Sequence, residues 1–274
     1  MNKYAEALHL VREKEPLVQC ITNFVTVNDC ANIILAAGGS PSMAHDVREA
    51  AEAARNARAL VCNMGAIEDA QSMILAGREM NQLGRPVVLD PVAAGGTSLR
   101  REMAAELLKE VKFSSIRGNA SEIRYLAGQQ TAGSGVDVGA LDKITEENLK
   151  EASEMVRTLA ERTGSVIAVS GKLDLVSDGK ETAVLRNGCA TMARITGSGC
   201  MLTSMIGAFA GAAAEDPFTA TCAAMAAMGI AGEIAEKKRI KNGTGNATFR
   251  TDLIDAVFNL TEEELTKGAR YEIF

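Results

Sequence analysis

The sequence predicts an α/β fold in which a largely parallel central sheet is flanked by helices on both faces. Apolar segments of strand length alternate with segments of helical periodicity up to residue 170, and the links between them are short. Such alternation is typical of parallel sheets covered by helices. The chain has 274 residues, 47% of them apolar, and no stretch has the composition of a linker. We therefore expect a single domain over residues 1–274.

The first half of the chain is predicted to supply four strands and four helices. Pro16 ends the first helix, and Gly84 ends the fourth. Asp46 and Glu49 have the spacing of a capping box, which predicts the start of the third helix. The predicted helices cover residues 4–15, 28–37, 46–58 and 68–83, and the predicted strands cover residues 17–21, 40–44, 59–63 and 86–91.

The second half is predicted to add four short strands and then mainly helices. Ser98 is expected to cap a helix, Gly118-Asn119 to turn the chain into the next one, and Asp178-Gly179 to form the turn of a hairpin. The predicted helices cover residues 98–109, 121–126 and 146–162, and the predicted strands cover residues 114–117, 165–170, 174–177 and 182–186. The glycine-rich residues 129–139 are expected to form a mobile loop, and residues 243–245 to interrupt the helical C-terminal part.

Composition argues against several classes of function. A net charge of −6 disfavours non-specific binding to nucleic acid, and an aromatic content of 4% without tryptophan disfavours base stacking. The N-terminal residues 1–15 lack the apolar segment of a secretory signal, and residues 220–235 are too short and too weakly apolar to span a bilayer. Six well-separated cysteines and only two histidines disfavour a zinc site. We therefore expect a reduced, cytoplasmic protein with no membrane or nucleic-acid partner.

The stretch Ile195-Thr196-Gly197-Ser198-Gly199-Cys200 leads directly into an apolar helix. Its two glycines allow a tight backbone turn, after which the N–H groups of residues 197–200 would lie at the open, positively polarised end of the helix. Such an end binds anions, phosphate above all. A tightly packed corner without a ligand explains this stretch equally well. The stretch is neither a Walker A loop, which needs Gly-Lys-Ser/Thr, nor a Rossmann fingerprint, which needs a third glycine.

Candidate ligand-binding residues collect at the predicted carboxyl ends of the strands, where parallel α/β sheets bind ligands. They are Asn23, Met43, Asn63, Asp90, Arg117, Glu122, Ser170 and the stretch 197–200. Asp90 either faces a metal–phosphate cluster or caps the loop near Gly95-Gly96. For Glu122, in the first turn of a helix, the helix dipole alone explains an acidic residue. Arg117 either forms a plain salt bridge or binds phosphate through its planar fork.

Cys200 also has two interpretations. Free cysteine is commonly a small buried hydrophobic residue. At a helix N-terminus its pKa can instead fall below about 8.5, so that it acts as a base or a nucleophile. A catalytic Cys–His pair is disfavoured, because no histidine follows His45.

Five segments, in order along the chain, carry a family resemblance. They are Gln19-Cys20-Ile21-Thr22-Asn23-Phe24-Val25, Ala36-Ala37-Gly38-Gly39-Ser40-Pro41-Ser42-Met43, Val88-Leu89-Asp90-Pro91-Val92-Ala93-Ala94-Gly95, Ile116-Arg117-Gly118-Asn119-Ala120-Ser121-Glu122-Ile123 and Thr196-Gly197-Ser198-Gly199-Cys200. Together they resemble the hydroxyethylthiazole kinases, the thiazole-salvage branch of the ribokinase-like superfamily. The resemblance covers essentially the whole chain. It implies a ribokinase-like kinase domain that uses ATP and Mg²⁺ to phosphorylate the primary hydroxyl of 4-methyl-5-(2-hydroxyethyl)thiazole, in thiamine salvage.

The resemblance also implies roles for single residues. It implies catalytic and anion-binding roles for Gly197, Ser198, Gly199 and Cys200. It implies substrate contacts from Met43, Asn23 and Gly197, ATP contacts from Arg117, Ser170 and Asn119, and Mg²⁺ held through water by Asp90 and Glu122. Related sugar and pyrimidine kinases usually carry Asp in place of Cys200, which leaves the identity of the catalytic base open.

The resemblance further implies a homotrimer with active sites between subunits, in which Asn23 and Met43 would serve a neighbour's Cys200. The apolar helices at residues 203–214 and 220–235 have little polar surface, which favours burial between subunits. Three other functions fit the sequence: a related kinase for a pyrimidine or sugar alcohol, an ATP- or ADP-dependent dehydratase on the same fold, and a non-catalytic thiazole- or nucleotide-binding regulator.

Overall fold

A computed structural model of the chain describes residues 2–128 and 143–274, so the loop expected at residues 129–139 lies outside the described part. Its strands are β1 (Leu17–Ile21), β2 (Ser40–Ser42), β3 (Ala59–Asn63), β4 (Val87–Asp90), β5 (Ser115–Asn119), β6 (Val166–Ser170), β7 (Asp174–Ser177), β8 (Thr182–Leu185) and β9 (Tyr271–Ile273). Its α-helices are α1 (Lys3–Lys14), α2 (Val27–Ala37), α3 (Ala50–Ala54), α4 (Ala70–Gln82), α5 (Ser98–Glu110), α6 (Ala120–Leu126), α7 (Leu149–Thr163), α8 (Ser198–Ala212), α9 (Pro217–Asn242), α10 (Asn246–Asn259) and α11 (Glu262–Gly268).

The strands of the described residues form one sheet in the order β2-β1-β3-β4-β5-β6-β7-β8-β9. Neighbours from β2 to β6 pair in parallel, whereas the β6–β7, β7–β8 and β8–β9 pairs are antiparallel. The sequence-based prediction of a largely parallel sheet is therefore confirmed.

Helices cover both faces of this sheet, as predicted. Successive strand residues point to opposite faces, so Ala59 and Val61 of β3 pack into one hydrophobic cluster while Leu60 and Cys62 pack into the other. The first cluster includes residues of α1, α2, α8, α9, α10 and α11, and the second includes residues of α3, α4, α5, α6 and α7. Because both faces are buried, the central strands are almost wholly apolar.

Two predicted helix caps are wrong. Asp46 does not start a helix with Glu49: its Oδ1 accepts the N–H of Arg48, 2.9 Å away, in a local turn, and α3 begins only at Ala50. Asp favours both such turns and helix caps, so the spacing alone does not separate the two. Helix α5 is capped by Thr97, whose Oγ1 accepts the N–H of Arg100 at 3.2 Å, rather than by Ser98.

Two features near the ends of strands also differ from the predictions. Gly118 and Asn119 are not a turn but the last residues of β5, and Asn119 caps α6 in a capping box with Glu122. Strand β9 was not predicted. It consists of three exposed residues at the sheet edge, and its partner β8 lies far away in the sequence.

Helix α9 contains residues 220–235, and the prediction that this segment is too short and too weakly apolar to span a bilayer is wrong. The helix has 26 residues and an apolar window with a mean hydropathy of 1.4, so by length and composition it is able to cross a bilayer. Within the described fold, 83% of that window is buried. A central core helix passes the same test, and α9 is therefore weak evidence for a membrane protein.

Burial of α8 and α9 inside the chain also removes one argument for an oligomer. Residues 201–210 of α8 and residues 220–232 of α9 are buried against the fold's own helices and strands. Their apolar composition therefore needs no neighbouring subunit, and the expectation that they are buried between subunits is wrong.

Candidate active site

The carboxyl ends of the parallel strands and the N-terminus of α8 meet at one edge of the sheet. Asn63 ends β3 and Asp90 ends β4, and the two residues are direct register partners. Arg117 lies in β5, and Ser170 ends β6. Parallel strands bring residues that are distant in sequence to the same edge of the sheet, as predicted.

Gly197 gives the chain the conformation that starts α8. Its φ is +81°, and a Cβ at this position would lie 2.6 Å from Cγ2 of Thr26. Glycine is the residue that tolerates both the positive φ and this close approach. The N–H of Met201 donates to the Gly197 carbonyl at 2.8 Å, whereas no described side chain caps the helix. The N–H groups of Ser198, Gly199 and Cys200 therefore lie at an open helix end, which is the kind of end that suits an anion.

Arg117 lies beside this helix end and is buried, with 7% of its surface exposed. A Cβ on Gly199 would lie 2.6 Å from its Nη1, and its Nη2 donates a short hydrogen bond to Oγ of Ser170. The buried Nε has no hydrogen-bond partner among the described residues. A buried donor without a partner is costly, and a phosphate oxygen is the type of acceptor that would satisfy it.

Asp90 is 1% exposed, and its side-chain contacts point into the site rather than to the following loop. Its Oδ2 accepts hydrogen bonds from Thr203 Oγ1 at 2.8 Å and Asn63 Nδ2 at 3.1 Å, and lies 3.9 Å from Nη1 of Arg117. Burial raises the pKa of Asp90, while Arg117 and Thr203 oppose that shift. These contacts favour the charged-site interpretation over a loop cap.

Glu122 connects the loop after β4 to the start of its own helix, α6. Its Oε1 accepts the N–H of Ala93 at 2.9 Å, and its Oε2 accepts the N–H of Asn119 at 2.8 Å. Burial, together with the nearby charge of Asp90, raises the pKa of Glu122 to about 7, although these backbone hydrogen bonds and Arg117 act in the opposite direction. Asn119 Oδ1 accepts the N–H of Glu122 at 2.9 Å, so this oxygen serves the cap of α6.

The donor set at this edge fits a weakly held hard cation. No cluster of three or more His, Cys, Asp or Glu residues suited to a metal is found in residues 2–128 and 143–274. Asp90 and Glu122 are two buried carboxylates whose charges interact. Mg²⁺ commonly binds through one or two carboxylates together with waters and substrate phosphates, and this pair suits such a site.

Cys200 lies in the first turn of α8, but its pKa is not lowered there. Its Sγ accepts hydrogen bonds from Nδ2 of Asn63 at 3.2 Å and Nδ2 of Asn23 at 3.5 Å. Burial and the charge of Asp90 raise the pKa of Cys200 to about 11, despite hydrogen bonds that act to lower it. The interpretation that the helix N-terminus lowers this pKa below about 8.5 is therefore wrong.

Asn23 contacts Cys200 of its own chain, so the idea that Asn23 serves a neighbour's Cys200 is also wrong. Met43 follows β2 at the same sheet edge and packs against the cluster that contains α8. Behind it, Gln19 Nε2 donates to the carbonyls of Ala44 at 2.9 Å and Ala50 at 3.1 Å and so fixes the next segment. The substrate contact of Met43 stays a prediction.

Two residues of the site received no role from the sequence. The sequence indicated Asn63 only as a residue at a strand end, yet its side chain contacts Asn23, Asp90 and Cys200. The sequence analysis gave Thr203 no role, although a threonine in a largely apolar helix, four residues after Gly199, was an available signal.

The hydroxyethylthiazole kinase family model matches residues 8–263 of the chain. The chain is 44% identical over 271 residues to a hydroxyethylthiazole kinase of Clostridium acetobutylicum, covering 98% of this chain and 99% of the relative. It is 43% identical over 282 residues to one of Desulfovibrio desulfuricans, covering 100% and 98%.

Solved structures agree. A hydroxyethylthiazole kinase protein of Pyrococcus horikoshii shares 35% identity and has a TM-score of 0.86 over 100% of both chains. A pyridoxal kinase of Staphylococcus aureus, at 14% identity, has a TM-score of 0.57 and covers 80% of this chain and 87% of its own, which shows the fold alone. The predicted ribokinase-like fold is thus confirmed. With a family match along nearly its whole length and relatives above 40% identity, the chain belongs to the hydroxyethylthiazole kinase family.

Proposed function

We propose that this chain transfers the γ-phosphoryl group of ATP to the primary hydroxyl of 4-methyl-5-(2-hydroxyethyl)thiazole, in thiamine salvage. The observation that carries the proposal is the 44% identity to a hydroxyethylthiazole kinase along nearly the whole chain. The geometry of the site agrees, because it combines an anion-binding helix end, a buried arginine and two carboxylates at one sheet edge. We also propose that residues 1–274 act as one kinase domain, in the cytoplasm, where the six free thiols would stay reduced.

Phosphoryl transfer depends mainly on alignment and on stabilising the charge of the transferring group. The N–H groups of residues 198–200 would receive the oxygens of that group. Arg117 would bind the nucleotide phosphates from the side of β5 and β6, with Ser170 and Asn119 nearby. Mg²⁺, when bound, would neutralise phosphate charge, and Asp90 and Glu122 are the residues that would hold it through water.

The acceptor would lie on the other side of Cys200. Met43, Asn23 and the backbone at Gly197 are the proposed contacts of the thiazole. A small, largely apolar ring suits a wall of methionine and cysteine better than a sugar would, because sugars need clusters of polar partners. The thiol of Cys200 adjoins the proposed place of the reacting hydroxyl.

Purified protein should phosphorylate hydroxyethylthiazole with ATP and should lose that activity in excess chelator. The metal requirement follows from the two buried carboxylates, which attract a cation to the site. The assay compares hydroxyethylthiazole with pyrimidine and sugar alcohols, and scores phosphate transfer, dehydration and binding without turnover separately. Turnover of another alcohol in preference to hydroxyethylthiazole would overturn the substrate, and undiminished turnover in chelator would overturn the metal role.

We propose a homotrimer on the basis of exposed apolar side chains, since α8 and α9 are buried within the chain. Phe24, Phe258 and Ile240 are 83%, 68% and 66% exposed, so each offers apolar area that a neighbouring subunit would bury. Phe24 directly follows Asn23 of the site. A subunit boundary next to the site would allow Met43 of one chain to serve the Cys200 of another.

Mixing two inactive variants, Met43→Asp and Cys200→Arg, should therefore restore activity. When the two variants assort at random into trimers, about a quarter of the sites would combine an intact Met43 from one subunit with an intact Cys200 from its neighbour. The measurement is specific activity after subunit exchange, with each variant mixed with itself as the control. Absence of recovery after proven exchange would place both residues in one site of a single chain.

A further inference from the structure

The side chain of Asn63 occupies the centre of the site and is 1% exposed. Its Nδ2 donates to Asp90 Oδ2 at 3.1 Å and to Cys200 Sγ at 3.2 Å. Its Oδ1 accepts from the N–H of Gly65 at 2.8 Å and from Asn23 Nδ2 at 3.2 Å. An amide group offers two donors and an oxygen with two lone pairs, so these four contacts use its full hydrogen-bonding capacity.

These contacts also fix which way the amide faces. The N–H of Gly65 can only donate, so the atom of Asn63 that faces it must be the oxygen. The nitrogen consequently faces Asp90 and Cys200. With both Asn63 and Asn23 donating to the sulfur, the thiol's own hydrogen must point away from both amides.

We propose that Asn63 is a positioning residue that holds the Cys200 sulfur and the Asp90 carboxylate in a fixed relation to each other. This inference rests on the proposed phosphoryl transfer, in which Asp90 serves the metal side and Cys200 the acceptor side. Asn63 is the one described side chain that bonds to both. By sharing its two N–H groups between them, it links the placement of the acceptor hydroxyl to that of the phosphate.

Asn63→Ala should lower kcat about tenfold while the KM for ATP changes by less than about twofold. The ATP contacts at Arg117 and Ser170 do not involve Asn63, which is why KM should be spared. In a Cys200→Ala background, part of the role of Asn63 is already lost, so the same substitution should lower kcat by only about threefold. Equal effects of Asn63→Ala in both backgrounds would overturn the proposal.

Asn187 supplies the matched control for this double-mutant cycle. It is also a buried asparagine, and it donates to the Gly268 carbonyl at 2.9 Å and accepts the N–H of Arg270 at 2.8 Å, beside β8 and β9. Asn187→Ala should lower stability. Any effect that it has on kcat should be the same in the parent and in the Cys200→Ala background. If it couples to Cys200 as strongly as Asn63 does, the coupling reflects general loosening and the proposal fails.

A second experiment needs no kinase activity and so keeps a failure of this inference distinct from a failure of the proposed function. Asn63→Asp keeps the shape of the side chain but replaces the N–H donors by oxygen. Any proton that the new carboxyl carries will go to Asp90, the stronger acceptor, so Cys200 will lose the shorter of its two amide hydrogen bonds and keep only the one from Asn23 at 3.5 Å. Peptide-resolved alkylation of Cys200 by iodoacetamide at fixed pH should therefore slow about tenfold, because less thiolate is present. An unchanged rate would overturn the proposal, whatever the substrate of the enzyme.

Discussion

Asp90→Asn should lower kcat by at least about 100-fold while the protein stays folded. In the proposed reaction, Asp90 would supply negative charge at the point where the nucleotide's metal would lie, opposite Arg117. Asparagine has the same shape, and its oxygen can still accept the hydrogen bonds from Thr203 and Asn63. Burial already disfavours the charge of Asp90, as its raised pKa shows, so removing that charge should cost little stability.

Steady-state kinetics at several Mg²⁺ concentrations would test this expectation, with thermal unfolding as the check on folding. Asp252→Asn is the control, because Asp252 is also a buried carboxylate but pairs with Lys238 away from the site. We expect the control to lose stability and keep kcat. A kcat of Asp90→Asn within a few fold of the parent would remove Asp90 from the catalytic site.

The same variant makes a prediction about pH. Glu122 has a pKa of about 7, partly because the charge of Asp90 disfavours its ionised form. If ionised Glu122 serves the metal, activity should fall as the pH drops through about 7 in the parent protein. Removing the charge of Asp90 lowers the pKa of Glu122, so the residual activity of the variant should persist to lower pH. If activity falls at the same pH in both proteins, the group that titrates is not Glu122.

Much of the fold follows from patterns that are local in sequence. Strands β1 and β3 have the bounds that were predicted, because each is a short apolar run between clear helix signals. Strand β9 could not be found this way, because its three residues are exposed and their partner strand, β8, is remote in the sequence. Local patterns also fail where one residue type serves two structures, as Asp46 does.

The sequence predicted most residues of the candidate site, but not their contacts or their pKa values. The rule that ligands bind beyond the carboxyl ends of parallel strands brought Asn63, Asp90 and Arg117 to one edge. The rule says nothing about which atoms touch. Cys200 is an example. The sequence reveals the helix N-terminus, which would lower the pKa of Cys200, but only the fold reveals the burial and the charge of Asp90, which raise that pKa by more.

Cys200→Ala should reduce kcat by roughly 10- to 100-fold, and Cys200→Asp should turn over at least as fast as the parent. With a pKa of about 11, only about one thiol in ten thousand is ionised at pH 7, which makes the parent residue a poor general base. A loose transition state depends little on a base, so the loss in the alanine variant should lie at the modest end of the usual range. Cys189→Ala, at a half-buried cysteine outside the site, is the control and should keep kcat.

The aspartate variant and the pH dependence together decide what Cys200 does. An aspartate would accept the same hydrogen bonds from Asn23 and Asn63 that the sulfur now receives, and these bonds favour its ionised form against the burial and the charge of Asp90 that raise a pKa at this position. Its charge would lie beside an apolar acceptor site, so the KM for the thiazole should rise. If the thiolate is the base, kcat of the parent should rise about tenfold per pH unit between about pH 8 and 9.5, and the alanine variant should lack this slope. An aspartate variant that folds and binds both substrates yet is as slow as alanine would exclude position 200 as the proton acceptor. Cys200 would then serve as a wall of the acceptor site, and alignment together with the N-terminus of α8 would account for the rate.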